Sequence, residues 1–265
     1  MIDQVEQLYT RAVQAFAAEP EVSEIGLFGS YAKGTHDRYS DIDLHVVSQD
    51  FDTTMNHLAA CLAHIGQVLV AFPLTARVGY AAYVVLFEDY SPYTKLDLSI
   101  ADTANNLPFA DTTCVYHTET ISPATASTYQ PARFAEPLNI LYDSYLGALR
   151  YIKYRQRWQH FSAYKFYRAQ LDRLLVMCYH DISNADTVER LGILEYQHLD
   201  KHSASTNMQR YLYPENAQMM DRLYIDLLEM QTRTLQPADH PDHQNIFTMI
   251  LAFLASESRS GTEMI

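Results

Sequence analysis

Two aspartates one residue apart, Asp41 and Asp43, are the side chains in this sequence whose spacing points most directly to chemistry. They begin an apolar segment, and alternate residues of a strand point to the same face, so we expect both carboxylates to lie side by side. Adjacent carboxylates repel each other unless a cation or a proton lies between them. A pair of hard oxygen ligands suits Mg²⁺, which completes its coordination with water and substrate phosphates.

A Gly-Ser turn formed by Gly29 and Ser30 ends the apolar segment that precedes the aspartates. Because glycine lacks a Cβ, the backbone N–H groups of such a turn can come close to a phosphate. Taken alone, a Gly-Ser pair is an ordinary turn, and an Asp-x-Asp pair is most often solvated surface charge. Their succession, with Gly34 and Ser40 between them, predicts a site for a metal ion and a triphosphate.

A third acidic residue, Asp97, lies in a segment that alternates polar and apolar residues from Lys95 to Ile100. The alternation predicts a strand whose polar face carries Lys95, Asp97 and Ser99. In an otherwise apolar sheet, that face is expected to be wet or to bind a ligand. Asp97 alone would be ordinary surface charge, and the Asp-x-Asp segment before it is what makes it a candidate.

The elements that position these residues are predicted from the periodicity of the apolar side chains. Apolar residues recur at helical spacing from 5 to 16, and Pro20 ends that helix. A second helix is predicted at 52–65, with Asp52 as its N-cap. Runs of β-branched, apolar and aromatic residues predict the strands, which are 25–28, 42–47, 67–72, 80–87, 95–100 and 114–117.

The composition changes after the last of these strands. Residues 119–137 hold three prolines and several small polar residues, which is typical of a linker. From Leu138 onward the strand signals disappear and helical periodicity takes over. The sequence therefore predicts an α+β protein, with a small mixed-sheet domain at 1–120 and an all-α helical bundle domain at 138–265.

The chain carries a net charge of −13 and three cysteines that lie far apart. The excess of acidic groups argues against a general nucleic-acid binder, which needs a basic surface, and it suits a cationic small substrate. The odd number of separated cysteines predicts reduced thiols. The acidic N-terminus and the absence of a long apolar run predict no signal peptide, no membrane contact and a cytoplasmic location.

Charge is distributed unevenly along the chain. Residues 1–100 contain five Lys and Arg against thirteen Asp and Glu, whereas residues 138–179 contain seven against two. The basic helices could pair with the acidic half of the chain, or they could bind the phosphates of a nucleotide. Lys165 and Arg168, which fall within one turn of a predicted helix, are the candidates for phosphate contact.

The succession of Gly29-Ser30, a spacer containing Gly34, and Ser40-Asp41-x-Asp43 resembles the nucleotidyltransferase superfamily related to DNA polymerase beta. The resemblance covers residues 25–100 and is greatest to the small-molecule enzymes that modify aminoglycoside or lincosamide antibiotics. It implies transfer of a nucleoside monophosphate, AMP from ATP, to a hydroxyl of a small and cationic acceptor, with release of pyrophosphate. A homodimer would be unsurprising by the same resemblance.

In that superfamily a third carboxylate on a later strand completes the metal site, and Asp97 is the matching position. In the mechanism that follows from these parts, Asp97 either shares a second Mg²⁺ or serves as general base. Glu136, at the end of the predicted linker, is a distant second choice for the base. With the candidates from the basic helices included, two groups of site residues are predicted. The metal ligands are Asp41, Asp43 and Asp97, and the nucleotide-binding residues are Gly29, Ser30, Ser40, Lys165 and Arg168.

Two other classes of protein share this pattern. One is the toxin–antitoxin type of nucleotidyltransferase, which modifies a protein hydroxyl, and the long helical half argues against it. The other is a nucleotide-binding regulator that keeps the fold without the chemistry. Three clustered carboxylates argue against the regulator, because a site without chemistry has no physical need for them.

Overall fold

The structure, a computed structural model, describes residues 4–106, 111–118, 127–129, 138–179, 208–235 and 241–260. The chain divides into two units, 1–134 and 135–265, and each is described by itself. Part of the predicted linker, 119–126 and 130–137, lies outside the described residues, and Glu136 lies there too.

Within the described part of the first unit, six strands form a single sheet in the order β3-β4-β5-β2-β1-β6. Three helices accompany it, namely α1 (Gln4–Ala17), the short α2 (Gly29–Ala32) and α3 (Phe51–Ile65). The strands are β1 (Val22–Phe28), β2 (Ile42–Ser48), β3 (Val68–Arg77), β4 (Tyr80–Phe87), β5 (Leu96–Asp102) and β6 (Thr113–His117).

The sheet is mixed. Strands β2 and β5 run parallel, whereas β1 is antiparallel to both β2 and β6 and β4 is antiparallel to both β3 and β5. Parallel neighbours need a crossover connection, and α3 with the hairpin of β3 and β4 lies between β2 and β5 in the chain. Together with the helical second unit, this arrangement confirms the predicted α+β class.

Helices α1 and α3 contribute the helical part of the core. Val5, Leu8, Ala12 and Phe16 recur at spacings of three and four residues along α1, and all four side chains are buried. They belong to one apolar cluster with the buried face of α3 and with inward-facing residues of the central strands. This core packs against β1, β2 and β5, which matters because the predicted site residues lie at the ends of those strands.

Strand β3 extends five residues beyond the predicted end at 72. Pro73 lies in the middle of it, and proline cannot donate a ladder hydrogen bond, so the sequence indicated an end there. Because β3 is at the edge of the sheet, the missing donor is tolerated. The register of β3 against β4 shifts between Pro73 and Thr75, as expected for a bulge at that residue.

The prediction that Asp52 caps α3 is wrong. Asp50 is the N-cap, and its Oδ1 accepts a hydrogen bond of 3.0 Å from the Thr53 backbone N–H. Phe51 is buried and forms the first residue of the helix, so the helix begins one residue earlier. Asp52 instead accepts hydrogen bonds from residues 127–129, and the hydrogen bond from Ser127 holds the pKa of Asp52 below its ordinary value.

Among the described helices, none combines the length and the apolarity that crossing a bilayer requires. Cys61 and Cys114 are free thiols. Burial raises the pKa of Cys61 to about 12, as expected for a thiol in the packed core. The side chain of Cys178 lies outside the described residues.

Four long helices are described in the second unit: α4 (Leu138–Gln156), α5 (His160–Tyr179), α6 (Ala217–Leu235) and α7 (Pro241–Ser260). Their core is rich in tyrosine, and the rings of Tyr151 and Tyr224 stack with centroids 4.1 Å apart. The predicted core positions of α4 are all buried, namely Leu141, Tyr145, Ala148, Leu149 and Ile152. On α5, Leu174 is buried as predicted, whereas Phe166 and Ala169 are only half-buried.

A buried ion pair ties α4 to α6. The Arg155 guanidinium donates to both carboxylate oxygens of Asp221 at 2.9 and 3.0 Å, and the Tyr151 hydroxyl donates to the same carboxylate. The Asp221 side chain is only 4% exposed. Removing one partner of a buried pair leaves the other charge buried without a counter-ion.

We therefore expect Arg155→Ala to lower the free energy of unfolding by roughly 3–5 kcal/mol, because Asp221 would keep a buried carboxylate without its counter-ion. Urea denaturation of the full chain measures this loss. Arg233→Ala is the matched control, since Arg233 pairs with Glu229 on the surface of α6, and exposed pairs contribute about 0–1 kcal/mol. Equal losses for the two variants would contradict the assignment.

Candidate active site

The predicted carboxylates come together at one end of the central strands. Asp43 and Asp97 are each the second residue of a parallel strand, and they lie side by side in the register of β2 and β5. Asp41 comes just before β2. Phe28, the last residue of β1, pairs with Asp43, so the turn that begins at Gly29 is at the same end of the sheet.

A lysine bridges two of the three carboxylates. The Nζ atom of Lys95 lies 2.7 Å from Oδ2 of Asp41, and it also contacts Oδ1 of Asp97. The Lys95 side chain is 6% exposed, against 16% for Asp41 and 24% for Asp97. Burial alone would lower the pKa of Lys95, but the charges and hydrogen bonds of Asp97 and Asp41 outweigh it and raise the pKa above its ordinary value.

The polar face predicted to be wet or to bind a ligand is not wet at Lys95 or Ser99, and the binding of a ligand there stays a prediction. Lys95 and Ser99 are buried, and only Asp97 is partly exposed. The polar groups of this face are satisfied within the sheet rather than by water, because Lys95 pairs with carboxylates and Ser99 bonds to His45. Buried polar groups need such partners to offset the cost of leaving water.

A side chain at position 29 would collide with the carboxylate of Asp43 unless that carboxylate moved. The backbone of Gly29 has a φ of +73°, and a Cβ there would lie 2.0 Å from Oδ2 of Asp43 and 2.8 Å from its Cγ. A side chain at Gly29 would thus be opposed both by the left-handed backbone and by the carboxylate. The glycine predicted to admit a phosphate also makes room for a predicted metal ligand.

The two predicted serines differ in their surroundings. Ser30 is half-buried on α2. It follows Gly29 directly and so lies at the same end of the sheet as the carboxylate cluster. The Ser40 hydroxyl is buried, donates to Oδ1 of Asp37 at 3.1 Å and accepts from the Asp37 N–H at 2.9 Å. Ser40 thereby closes the loop that leads into Asp41, and its predicted contact with the nucleotide stays a prediction.

Lys165 and Arg168 lie on α5, in the second unit. Lys165 is exposed, and Arg168 pairs with Asp172 one turn along the helix at 3.4 Å. Their predicted contact with phosphates also stays a prediction. Glu136, the second choice for the base, is outside the described residues.

A histidine that the sequence did not single out extends the polar face. His45 continues the alternation of Asp41 and Asp43 along β2 and is buried. Its Nδ1 lies 2.8 Å from the Ser99 hydroxyl and its Nε2 lies 3.0 Å from Oδ1 of Asn106. The alternation of polar residues over Asp41-x-Asp43-x-His45 was the available signal. The bond to Ser99 joins β2 to β5.

The donor chemistry at the carboxylates fits a hard divalent cation. Asp41 and Asp97 already share one cationic group, the Lys95 ammonium, so the space between them accepts a positive charge. Asp41, Asp43 and Asp97 do not, however, bring three oxygens within 4.8 Å of one another. Among the described residues, such a group of three is formed by Glu19, Glu21 and His57.

That second group lies at the opposite end of the sheet from Gly29. Glu19 and Glu21 precede β1, whose first residue, Val22, pairs with Ser48 at the far end of β2. His57 is on α3 and is exposed, and it bonds to Glu19 at 3.0 Å. Its position separates it from the three predicted aspartates.

A cavity of about 100 Å³ lies within the second unit, lined in part by Arg155, Trp158, His160 and Asp221. It does not coincide with the carboxylate cluster, which belongs to the first unit. Pockets for ligands of drug size are usually about 300–1,000 Å³. This cavity is therefore too small for a nucleoside triphosphate.

Comparison with known proteins supports the superfamily that the motif resembles. Residues 10–93 match the family model of the nucleotidyltransferase domain. The match includes Gly29, Ser30, Asp41 and Asp43 and ends before Asp97. It supports membership of the first unit in the nucleotidyltransferase superfamily, in agreement with the Gly-Ser turn and the carboxylates gathered at one end of the sheet.

Two solved structures were also compared. A protein from H. pylori described as a nucleotidyltransferase is 14% identical, with 97% of this chain and 96% of that chain covered and a TM-score of 0.24. The STING-associated CdnE c-di-GMP synthase from Capnocytophaga granulosa is 14% identical, with 97% and 79% covered and a TM-score of 0.23. Both scores are too low to establish a shared overall fold. No curated protein sequence matches this chain.

Proposed function

We propose that this protein transfers a nucleoside monophosphate, AMP from ATP, to a hydroxyl of a small-molecule acceptor and releases pyrophosphate. The observation that carries the proposal is the close approach of Asp43 to Gly29, at the same end of the sheet where Asp41 and Asp97 share one cationic group. The match of residues 10–93 to the nucleotidyltransferase domain supports the general reaction.

Asp41, Asp43 and Asp97 would hold Mg²⁺. The chemistry that the ion supplies when bound is neutralisation of charge on the triphosphate and on the leaving pyrophosphate. The protein itself supplies position: the parallel register of β2 and β5 sets Asp43 beside Asp97, and the buried core beneath them keeps both strands in place. Holding the reacting groups in the correct relative positions accounts for much of the rate enhancement in phosphoryl and nucleotidyl transfer.

Other residues of the site would bind the nucleotide and accept the proton of the acceptor hydroxyl. Gly29 presents backbone without a side chain, and the Ser30 hydroxyl is next to it, so both can serve the terminal phosphates. Asp97 is partly exposed, and as the alternative to its share in the metal site its carboxylate would accept the proton of the acceptor hydroxyl as a general base. The attacking oxygen then bonds to the α-phosphorus as the bond to pyrophosphate breaks.

Turnover tests the proposal directly. The full-length protein is incubated with Mg²⁺, each nucleoside triphosphate in turn, and a panel of aminoglycosides and lincosamides, while pyrophosphate release and acceptor mass are followed. We expect ATP-dependent release of pyrophosphate and an acceptor whose mass increases by one AMP. Release of pyrophosphate with no adduct on any of these acceptors would contradict the small-molecule proposal.

Salt dependence distinguishes the two acceptor families. Residues 1–100 carry eight more acidic than basic side chains, so we expect the apparent KM for a polycationic aminoglycoside to rise several-fold with added salt. Exposed charges are screened over about 8 Å at physiological ionic strength. A lincosamide with one amine and an apolar body should show little change. Equal salt dependence of KM for both would argue against attraction by this acidic surface.

A further inference from the structure

Lys95 differs from the other described lysine that forms an ion pair in the first unit. Lys33 pairs with Asp111 at 3.1 Å on the surface, where the two side chains are 53% and 64% exposed. Lys95 is 6% exposed and contacts two carboxylates at once. A buried ammonium with two carboxylate partners is a strong and geometrically defined interaction, whereas an exposed pair contributes little.

The position of the ammonium matters as much as its burial. Lys95 is one residue before β5 and two residues before Asp97, on the same face. Its Nζ contacts an oxygen of Asp41 and an oxygen of Asp97, which are two of the three carboxylates predicted to bind the metal ion. A divalent ion bound by both of these residues would compete with the ammonium for their oxygens.

Charge leads to the same conclusion. Asp41, Asp43 and Asp97 carry three negative charges when ionised, and the Lys95 ammonium lies against two of these carboxylates. Without Lys95, three carboxylates would lie close together at one end of the sheet with strong mutual repulsion. With Lys95 between them, a second cation at short range is repelled by the first.

We propose that Lys95 is a built-in counter-ion that occupies the cation position between Asp41 and Asp97 in the nucleotide-free protein and competes there with the divalent ion. An ion that binds at this position displaces the ammonium from at least one of these two carboxylates. The phosphates of an incoming nucleotide offset the repulsion between the two cations, so metal and nucleotide bind together. This inference rests on the proposed function for the identity of the site.

Metal binding without nucleotide tests the inference independently of turnover. Mn²⁺ is titrated into the full-length, nucleotide-free protein, and free Mn²⁺ is followed by electron paramagnetic resonance. We expect Lys95→Met to bind Mn²⁺ at least about 10-fold more tightly than the wild type, since methionine keeps an unbranched chain without the charge. Lys33→Met is the matched control and should bind as the wild type does.

Two further variants tie the effect to this cluster. Adding Asp43→Asn to Lys95→Met should remove the gain in Mn²⁺ affinity, because one of the three carboxylates is then neutral. Lys95→Arg keeps the positive charge and should bind Mn²⁺ no more tightly than the wild type. If Lys95→Met is unfolded without metal, Mn²⁺ should restore its cooperative melting transition, and failure to do so would overturn the inference.

Equal or weaker Mn²⁺ binding by folded Lys95→Met would also overturn it, since that result would make Lys95 a supporting residue instead of a competitor. The proposed function fails separately. Absence of nucleotidyl transfer together with tighter Mn²⁺ binding by Lys95→Met would reject the reaction and keep the competition. Nucleotidyl transfer by the wild type together with unchanged Mn²⁺ binding by Lys95→Met would support the reaction and reject the competition.

Discussion

Asp43→Asn is expected to abolish nucleotidyl transfer, with a loss of turnover on the order of 10²–10³-fold or more, the usual scale for removing one preorganised electrostatic group. Asp43 lies beside Asp97 in the parallel register and against Gly29 at the end of β1. It is thus the carboxylate that joins the predicted metal ligands to the predicted phosphate-binding turn. Pyrophosphate release at saturating Mg²⁺ and ATP measures the effect.

Stability distinguishes loss of chemistry from loss of fold. Neutralising one of three neighbouring carboxylates relieves repulsion, so Asp43→Asn should melt at an unchanged or higher temperature without metal. Asp41→Asn should be equally inactive but less stable, because Asp41 is one of the two partners of the buried Lys95. Asp111→Asn, on the surface, is the control, and near-normal turnover of Asp43→Asn would reject the assignment.

Gly29→Ala is expected to reduce turnover by roughly 100-fold, the loss that a misplacement of about 1 Å at a reacting group can cause. The new Cβ would lie 2.0 Å from Oδ2 of Asp43, so the carboxylate, the backbone or both must move. The left-handed backbone adds roughly 1–2 kcal/mol of strain for any L-residue. We therefore expect both a lower turnover and, in urea denaturation, a lower free energy of unfolding.

Gly34→Ala separates the effect of the contact with Asp43 from the effect of backbone strain. Gly34 has a φ of +64°, close to that of Gly29, but a Cβ there meets nothing within 4 Å. We expect it to lower the free energy of unfolding by about the same 1–2 kcal/mol of backbone strain while turnover stays near normal. If both alanine variants lose turnover equally, the close approach of Asp43 to Gly29 is not what positions the carboxylate.

Much of the first unit was predictable because its signals are local. The period of two along β2 identified a face shared by Asp41 and Asp43, and the helical spacing of α1 identified its buried residues before any contact was known. Errors arose where two local signals compete. Asp50 and Asp52 are both good N-caps, and only the burial of Phe51 decided where α3 begins.

The carboxylate cluster illustrates the limit of such reasoning. Lys95 and Asp97 were visible in the sequence as polar residues on one face, which was predicted to be wet or to bind a ligand. The parallel pairing of β2 with β5 instead brings Asp41 within 2.7 Å of the Lys95 ammonium. That pairing joins residues more than fifty positions apart, and nothing in the pattern of either strand specifies it.

By itself the sequence determined which residues share a face, where the strands and most helices lie, and that Gly29-Ser30 and Asp41-x-Asp43 form one motif. These follow from periodicity and from glycine's missing Cβ, which act over a few residues. Only the tertiary structure decided that Asp43 occupies the space beside Gly29 and that Lys95 separates Asp41 from Asp97. The physical reason is that strand order, register and burial result from packing of the whole sheet, so partners across strands cannot be read from the periodicity of either strand alone.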